Sequence, residues 1–235
     1  MVKINKFYLF SVFFLILFTA SATAVMFSPS SCSGSWKNCT KAFNNDGRNS
    51  YITVLNTSNK SSIWNNYDFS ISNGSKINNV KLRADFLTNN VDGGVRIMVT
   101  KDGVSYGSSH IIKGSTLKKS YWIDITNDFS WQPSDLQDDK FKVVATCFSK
   151  TKSTCYLDYL PVNVSFTKFD FSLNLNQTFL NIEQGEKGKI NIKVKMLNGL
   201  PVQLMLSKIC PEELSCSLSP NSGIPDFNSI LTITA

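Results

Sequence analysis

Residues 80–86 read VKLRADF, and this short stretch decides the fold class. Its apolar residues stand at every second position and alternate with three charged residues. That alternation is typical of a β-strand with one face in a core and the other face in water. Residues 95–99 and 121–125 repeat the pattern, and we find no amphipathic helix. The sequence therefore predicts an all-β protein.

Other strands follow from the same pattern and from the turns between them. Asp102-Gly103 is the sharpest hairpin sequence, because a type I′ turn needs a positive φ at both central residues. It would connect 95–100 to 104–106. The remaining candidates, which are separated by turns rich in Gly, Asn, Asp and Pro, are 51–55, 67–71, 141–148 and 155–166.

A change in composition near Thr167-Lys168 predicts a boundary between two β units. All four glutamates of the chain lie beyond it. We predict a first unit over 25–168 and a second, shorter unit over 169–235. The strand candidates of the second unit are 169–175, 179–182, 188–197, 202–207, 214–218 and 230–234.

The N-terminus predicts export. Two lysines precede the apolar run 7–18, and small residues follow at 20–24, which together are the parts of a secretory signal over 1–24. The alternative is an uncleaved anchor, since 7–27 carries no charge and is about as long as a bilayer span. We predict a secreted or cell-surface protein that touches the membrane only if this segment is retained.

The six cysteines fall into three close pairs, as expected for disulfides formed in an oxidising compartment. Pairing between neighbours is the simplest arrangement, because each pair brackets one turn. Zinc is disfavoured, since the spacings differ from zinc sites and no histidine is near. The predicted bridges are Cys32–Cys39, Cys147–Cys155 and Cys210–Cys216.

Both units resemble modules of exported bacterial and archaeal surface proteins. The first resembles a jelly-roll-like β-sandwich, on the pieces Trp36, Asp46-Gly47, WNNYDFSI at 64–71, VTKDGV at 99–104, WIDIT at 122–126, Leu157-Asp158-Tyr159 and Val162-Asn163-Val164. The second resembles an Ig-like module, on Phe171-Ser172-Leu173, Gln184-Gly185, 189–195, Ser219-Pro220 and Leu231-Thr232-Ile233. The resemblance implies an extracellular β-sandwich followed by an Ig-like sandwich, and it implies no fixed activity.

The residue inventory disfavours catalysis. The chain has one histidine, His110, and the first unit has no glutamate, so a glycosidase there would need two aspartates. No Gly-x-Ser-x-Gly sequence occurs, and His110 beside Ser108 and Ser109 has no evident orienting partner. We predict a non-catalytic structural or adhesive protein. A glycan-binding module is the alternative, and a polysaccharide hydrolase is the third hypothesis.

Trp122, Trp131, Tyr106 and Asp124 are the candidate ligand-binding residues. Sugar binding needs an exposed aromatic face beside polar groups, and these residues are close in sequence. Tyr121, Ile123 and Ile125 predict the core side of their strand, so Trp122 should face solvent. The alternative is that these aromatic residues only pack the sandwich.

The predicted partners are a surface glycan or another surface protein. Nucleic acid is disfavoured, because the basic residues behind the net charge of +7 are scattered. We predict no cofactor: loops 91–94 and 135–139 offer oxygen ligands for structural calcium, but neither has the EF-hand pattern. The second unit shows six strand candidates where an Ig-type sandwich has about seven, so we expect a missing strand and a free edge over 229–235, which carries no charge or proline to block it. The favoured explanation is that the sequence is a fragment whose continuation supplies the strand, and the alternative is pairing of this edge with a strand of another chain.

Overall fold

The computed structural model describes residues 22–55 and 57–235. The predicted signal segment, 1–24, lies outside these residues except for its last three. The described chain divides into two units, Ala22–Thr167 and Lys168–Ala235. Its helices are three 3₁₀ turns, Cys39–Ala42, Thr126–Asp128 and Pro133–Asp135. In the described ranges no helix has the length and apolar character needed to span a membrane.

Strands form the rest of the regular structure, as the sequence predicts. In the first unit they are β1 Thr23–Phe27, β2 Ser31–Gly34, β3 Ser50–Val54, β4 Lys60–Asn65, β5 Lys76–Thr88, β6 Gly93–Thr100, β7 His110–Lys113, β8 Lys119–Asp124, β9 Lys142–Ser149, β10 Ser153–Tyr159 and β11 Val162–Thr167. In the second unit they are β12 Asp170–Leu175, β13 Lys187–Asn198, β14 Leu204–Met205, β15 Ser215–Ser219, β16 Ser222–Gly223 and β17 Phe227–Thr234.

The first unit is a sandwich of two antiparallel sheets. The six-stranded front sheet contains β1, β3, β5, β8, β10 and β11, and the five-stranded back sheet has the order β2-β4-β9-β6-β7. The chain changes sheet at most of its connections, which is the jelly-roll-like course that was predicted. The long strand β5 pairs with β8, β10 and β11. Beyond them, β3 pairs with β10 and β1 with β11.

The core lies between the two sheets and follows the predicted alternation. Val80, Leu82 and Phe86 of β5 are fully buried, and Val95 and Ile97 of β6 are fully buried opposite them on the back sheet. Complete burial of an aliphatic or aromatic side chain contributes about 1.5–3 kcal/mol. The stretch VKLRADF therefore places one face in the core and leaves its charged residues on the other face.

All three predicted disulfides are confirmed. Cys32–Cys39 ties β2 to the first 3₁₀ turn, and Cys210–Cys216 lies in the second unit. Cys147–Cys155 joins β9 of the back sheet to β10 of the front sheet, and both cysteines are fully buried. This bridge therefore crosses the sandwich rather than stapling a hairpin within one sheet.

The predicted strand at 67–71 is wrong. Asn66 and Asp68 have φ of 54° and 50°, which interrupts any strand here. The Tyr67 side chain is buried instead. Its ring packs edge-on against the Phe141 ring, with centroids 5.3 Å apart, and its hydroxyl donates a hydrogen bond to the Leu160 carbonyl at 3.1 Å. Aromatic packing against the core, rather than a hydrogen-bonded ladder, explains the alternating apolar residues of this segment.

The type I′ hairpin predicted at Asp102-Gly103 is wrong: of these two residues only Gly103 has a positive φ, of 81°, and no strand follows directly. Asp102 Oδ1 accepts hydrogen bonds from the backbone N–H groups of Val104 and Ser105 at 2.9 and 2.6 Å. These bonds, together with one from the Ser105 side chain as the largest contribution, lower the pKa of Asp102 to about 2. The sheet resumes only at β7, which the sequence did not predict.

The second unit contains a four-stranded antiparallel sheet with the order β12-β13-β17-β15 and a two-stranded ladder of β14 and β16. The predicted strand at 179–182 does not form, and 202–207 contributes only β14. The predicted free edge at 229–235 is wrong, because β17 pairs with β13 on one side and β15 on the other. The edges of this sheet are β12 and β15, and the Ig-like assignment stays a prediction.

Removing the bridge across the sandwich should weaken the first unit. We expect Cys147→Ala/Cys155→Ala to lower its free energy of unfolding by about 3 kcal/mol, since the bridge closes a short loop. Urea denaturation followed by tryptophan fluorescence measures this selectively, because all four tryptophans lie in this unit. The control Cys210→Ala/Cys216→Ala should leave that transition unchanged, and an equal loss in both variants would contradict the prediction.

Candidate functional site

The front face is the side of the front sheet that is turned away from the core. Trp122 lies on it with 51% of its surface exposed, whereas its neighbour Ile123 is buried at 8%. The predicted orientation of Trp122 is therefore confirmed. The antiparallel register sets Trp122 opposite Arg83 and Asp124 opposite Lys81, and directly opposite residues share a face.

Arg83 is held on the front face by a bidentate ion pair. Its Nε donates to Asp85 Oδ1 at 2.8 Å and its Nη2 to Asp85 Oδ2 at 2.7 Å, while Nη2 also reaches Ser120 Oγ at 3.1 Å. The hydrogen bond to Asp85 raises the pKa of Arg83. The guanidinium carbon lies 5.5 Å from the centroid of the Tyr159 ring. Arg83 thus links the strand that carries Trp122 to the strand that carries Tyr159.

A second ion pair lies beside the first. The register between β10 and β5 shifts between Leu157 and Tyr159, which makes Asp158 the extra residue of a β-bulge. Asp158 is fully buried, and its Oδ2 accepts from Lys118 Nζ in the segment before β8. Within the described chain its Oδ1 has no hydrogen-bond partner. This carboxylate depends on Lys118 for its charge compensation.

Four aromatic side chains cross the front face diagonally, and we call them the aromatic belt: Trp122, Tyr159, Tyr156 and Tyr51. Tyr51 and Tyr156 are paired in register, with ring centroids 6.3 Å apart and planes inclined by 33°. The Tyr159 hydroxyl is within hydrogen-bond distance of Ser28 Oγ at 3.1 Å. From strand spacing and rise, the backbone distance between the two ends of the belt is roughly 20 Å.

Trp131 does not belong to this surface, and its assignment as an exposed binding residue is wrong. It is only 7% exposed, and its Nε1 donates to the Ile125 carbonyl at 2.9 Å. Its ring packs against Phe129 and Phe141 at centroid distances of 5.1 and 5.8 Å. The indole N–H has its partner inside the core, so the ring serves packing.

Tyr106 and Asp124 lie apart from each other. Tyr106 is 50% exposed but bridges to Thr100 in the back sheet, so the structure does not place it on the front face with Trp122. Asp124 lies on the front face, where its Oδ1 accepts from the Thr126 backbone N–H at 3.0 Å. Hydrogen bonds from Thr126, with a smaller contribution from Lys81, lower the pKa of Asp124. Of the four predicted ligand residues, only Trp122 and Asp124 share a surface.

His110 has an orienting partner that the sequence did not indicate. Its Nε2 lies 3.0 Å from Asp128 Oδ2, and Asp128 ends the 3₁₀ turn that follows β8. In the described residues the hydrogen bonds of the His110 side chain all go to Asp128, and none goes to a serine. The pair ties the first residue of β7 to this 3₁₀ turn.

Carboxylates of the aspartate-rich loop 135–139 accept hydrogen bonds from the backbone. Asp135 accepts from the backbone of Gln132 at 2.9 Å, and Asp138 from the backbone of Asp68 at 2.9 Å. Across residues 22–55 and 57–235, no group of three or more His, Cys, Asp or Glu side chains is arranged to hold a metal ion.

The residues that sequence reasoning missed are Arg83, Asp85, Lys118, Asp158 and the three tyrosines of the belt. The pattern VKLRADF does place Arg83 and Asp85 on the outward side of their strand. Nothing local, however, brings Tyr159 beside Arg83, because the pairing of β10 with β5 is long-range in sequence.

No protein-family model matches the chain, and no curated protein matches it. Among solved structures, it is similar to a CBM4 protein, with 16% identity and a TM-score of 0.37 over 60% of this chain and 94% of that one. It is similar to the family 11 carbohydrate-binding module of the cellulosomal cellulase Lic26A-Cel5E of Clostridium thermocellum, with 12% identity and a TM-score of 0.35 over 62% of this chain and 89% of that one. It is also similar to a truncated AlyQ with CBM32 and alginate lyase domains, with 10% identity and a TM-score of 0.35 over 64% of this chain and 35% of that one.

Loss of the cation beside Asp158 should destabilise the first unit. We expect Lys118→Met to lower the free energy of unfolding by about 3 kcal/mol, because it leaves a buried charge uncompensated. The exposed neighbour Lys119 provides a matched control, and Lys119→Met should change stability by less than about 0.5 kcal/mol. Adding Asp158→Asn to Lys118→Met should recover part of the loss in urea denaturation; equal effects of the two lysine substitutions would refute this role.

Tryptophan accessibility should distinguish Trp122 from the other three tryptophans. Trp36, Trp64 and Trp131 are 3%, 0% and 7% exposed, so acrylamide should quench mainly Trp122. Trp122→Phe should therefore remove the quenchable part of the emission, whereas Trp131→Phe should retain it. Stern–Volmer plots of the two variants check this, and a quenchable fraction that survives Trp122→Phe would contradict the placement.

Proposed function

We propose that the first unit is a non-catalytic carbohydrate-binding module of an exported surface protein and that the aromatic belt is its binding surface. The observation that carries the proposal is the exposed face of Trp122 directly beside the anchored Arg83 and Asp85. A sugar ring has an apolar face that packs on an aromatic ring and a rim of hydroxyls that need polar partners. The front face offers both kinds of group next to each other.

The polar groups beside the aromatic belt are held in place before a ligand binds. Arg83 is fixed by Asp85, by Ser120 and by the Tyr159 ring. Hydrogen bonds to a ligand from such side chains cost little additional ordering, so more of their interaction energy contributes to affinity. The length of the belt, roughly 20 Å by strand geometry, suits a polysaccharide chain better than a single sugar.

The two buried carboxylates favour binding over hydrolysis. A glycosidase needs two carboxyl groups that reach the glycosidic bond. Asp85 is buried and held by Arg83, and Asp158 is buried and held by Lys118. Neither carboxylate is free to reach a bound sugar, so a hydrolase is the weaker hypothesis. Release of reducing ends from a bound polysaccharide would revive it.

Export and an adhesive role complete the proposal. The six cysteines form three disulfides, which persist in oxidising compartments outside the cytosol. Together with the signal segment predicted at 1–24, this supports a secreted or cell-surface location. A module that holds polysaccharide there acts as an adhesive element of the surface.

Truncating the belt tryptophan should abolish glycan binding without unfolding the protein. We expect Trp122→Ala to weaken polysaccharide binding about 30-fold, since truncating an exposed tryptophan that packs on the ligand costs about 2 kcal/mol. Ile111→Ala is the matched control, because Ile111 is an apolar residue of the back sheet with 59% exposure. A glycan array followed by titration calorimetry measures both variants. Equal affinities of the two variants, or no glycan bound by the wild type, would refute the proposal.

A further inference from the structure

A pocket of about 190 Å³ opens at the Tyr51 end of the belt. It lies where β3 meets the segment 35–37, which passes between the edges of the two sheets. The backbones of Lys37 and Tyr51 exchange two hydrogen bonds of 2.8 and 3.1 Å. The lining residues are Ser35, Lys37, Tyr51, Ile52, Thr53 and Lys60.

The backbone around this pocket is held firmly. The disulfide Cys32–Cys39 closes the segment on both sides. Between these cysteines, Trp36 is 3% exposed, and its ring meets Trp64 of β4 with centroids 5.8 Å apart. The position of Lys37 is therefore set by its neighbours, while its side chain remains in solvent.

The pocket has positive charge without compensation. Its lining contains two ammonium groups and no carboxylate. Arg83 and Lys118 have acidic partners, but in the described part of the chain neither Lys37 nor Lys60 forms a salt bridge. Lys37 Nζ lies over the Tyr51 ring, 6.0 Å from its centroid, so a positive charge and an aromatic ring are adjacent in this pocket.

We propose that this pocket recognises an anionic group, carboxylate or sulfate, on a sugar residue whose ring packs against Tyr51. This inference rests on the proposed function and names the ligand class: an acidic polysaccharide. Lys37 and Lys60 supply charge-assisted hydrogen bonds to the anion, which are stronger than bonds between neutral groups. The Ser35 hydroxyl offers a further donor, whereas the Thr53 hydroxyl is already hydrogen-bonded to Thr154 Oγ1 at 2.9 Å. The neutral part of the chain is held by Tyr156, Tyr159 and Trp122.

Two pairs of polymers test this, each differing in charge on one backbone: polygalacturonate against its methyl-esterified form, and dextran sulfate against dextran. We expect the anionic member of at least one pair to bind the full chain about 10-fold tighter at low ionic strength, as one added charge-assisted hydrogen bond implies. The preferred pair identifies the anion as carboxylate or sulfate. High ionic strength should reduce the difference.

The double variant Lys37→Gln/Lys60→Gln should lose this preference and still bind the uncharged polymers as wild type does. Lys113→Gln/Lys195→Gln removes the same number of charges from β7 and β13 and should keep the preference. Equal affinity for charged and uncharged polymers, or an equal loss in both double variants, overturns the subsite but leaves the proposed function standing. Absence of binding to every polymer overturns the proposed function itself.

Discussion

The alternation of side chains along β5 is the constraint on which the rest of the first unit depends. One set of its residues, including Leu82 and Phe86, is fully buried between the sheets, so a shift by one residue would place charges in the core. That fixed register also determines which residues of β8, β10 and β11 face outward, because all three strands pair with β5. The position of Trp122 beside Arg83 is thus a consequence of core packing.

The buried charges of the front face are compensated in pairs. Removing ionised groups from water is costly unless each has a partner of opposite charge in good geometry. Asp85 meets this condition through its bidentate ion pair with Arg83, and Asp158 meets it through its ion pair with Lys118. Such pairs add little net stability compared with apolar residues of similar size. What they contribute is a rigid pattern of donors and acceptors next to the aromatic rings.

Much of the fold was predictable because its patterns are local. Alternation identified β5, β6 and β8, and short spacings identified the three disulfides. The failures have physical causes as well: Tyr67 alternates with its neighbours because aromatic rings pack there, and β17 is an interior strand because β15 returns to pair with it. The site was predictable only in part. Trp122 follows from the period of its strand, but Tyr159, Tyr156 and Tyr51 join it through long-range pairing that no local pattern encodes.

The aromatic belt takes its members from between residues 51 and 159: β8 and β10 both pair with β5, and β3 joins them by pairing with β10. The surface is consequently incomplete in any fragment that lacks β3, β8 or β10. It is complete only when β8 and β10 are both paired with β5 and β3 is paired with β10. A ligand that binds only the completed sheet therefore stabilises all of these pairings at once, so its binding free energy adds to the free energy of unfolding of the first unit.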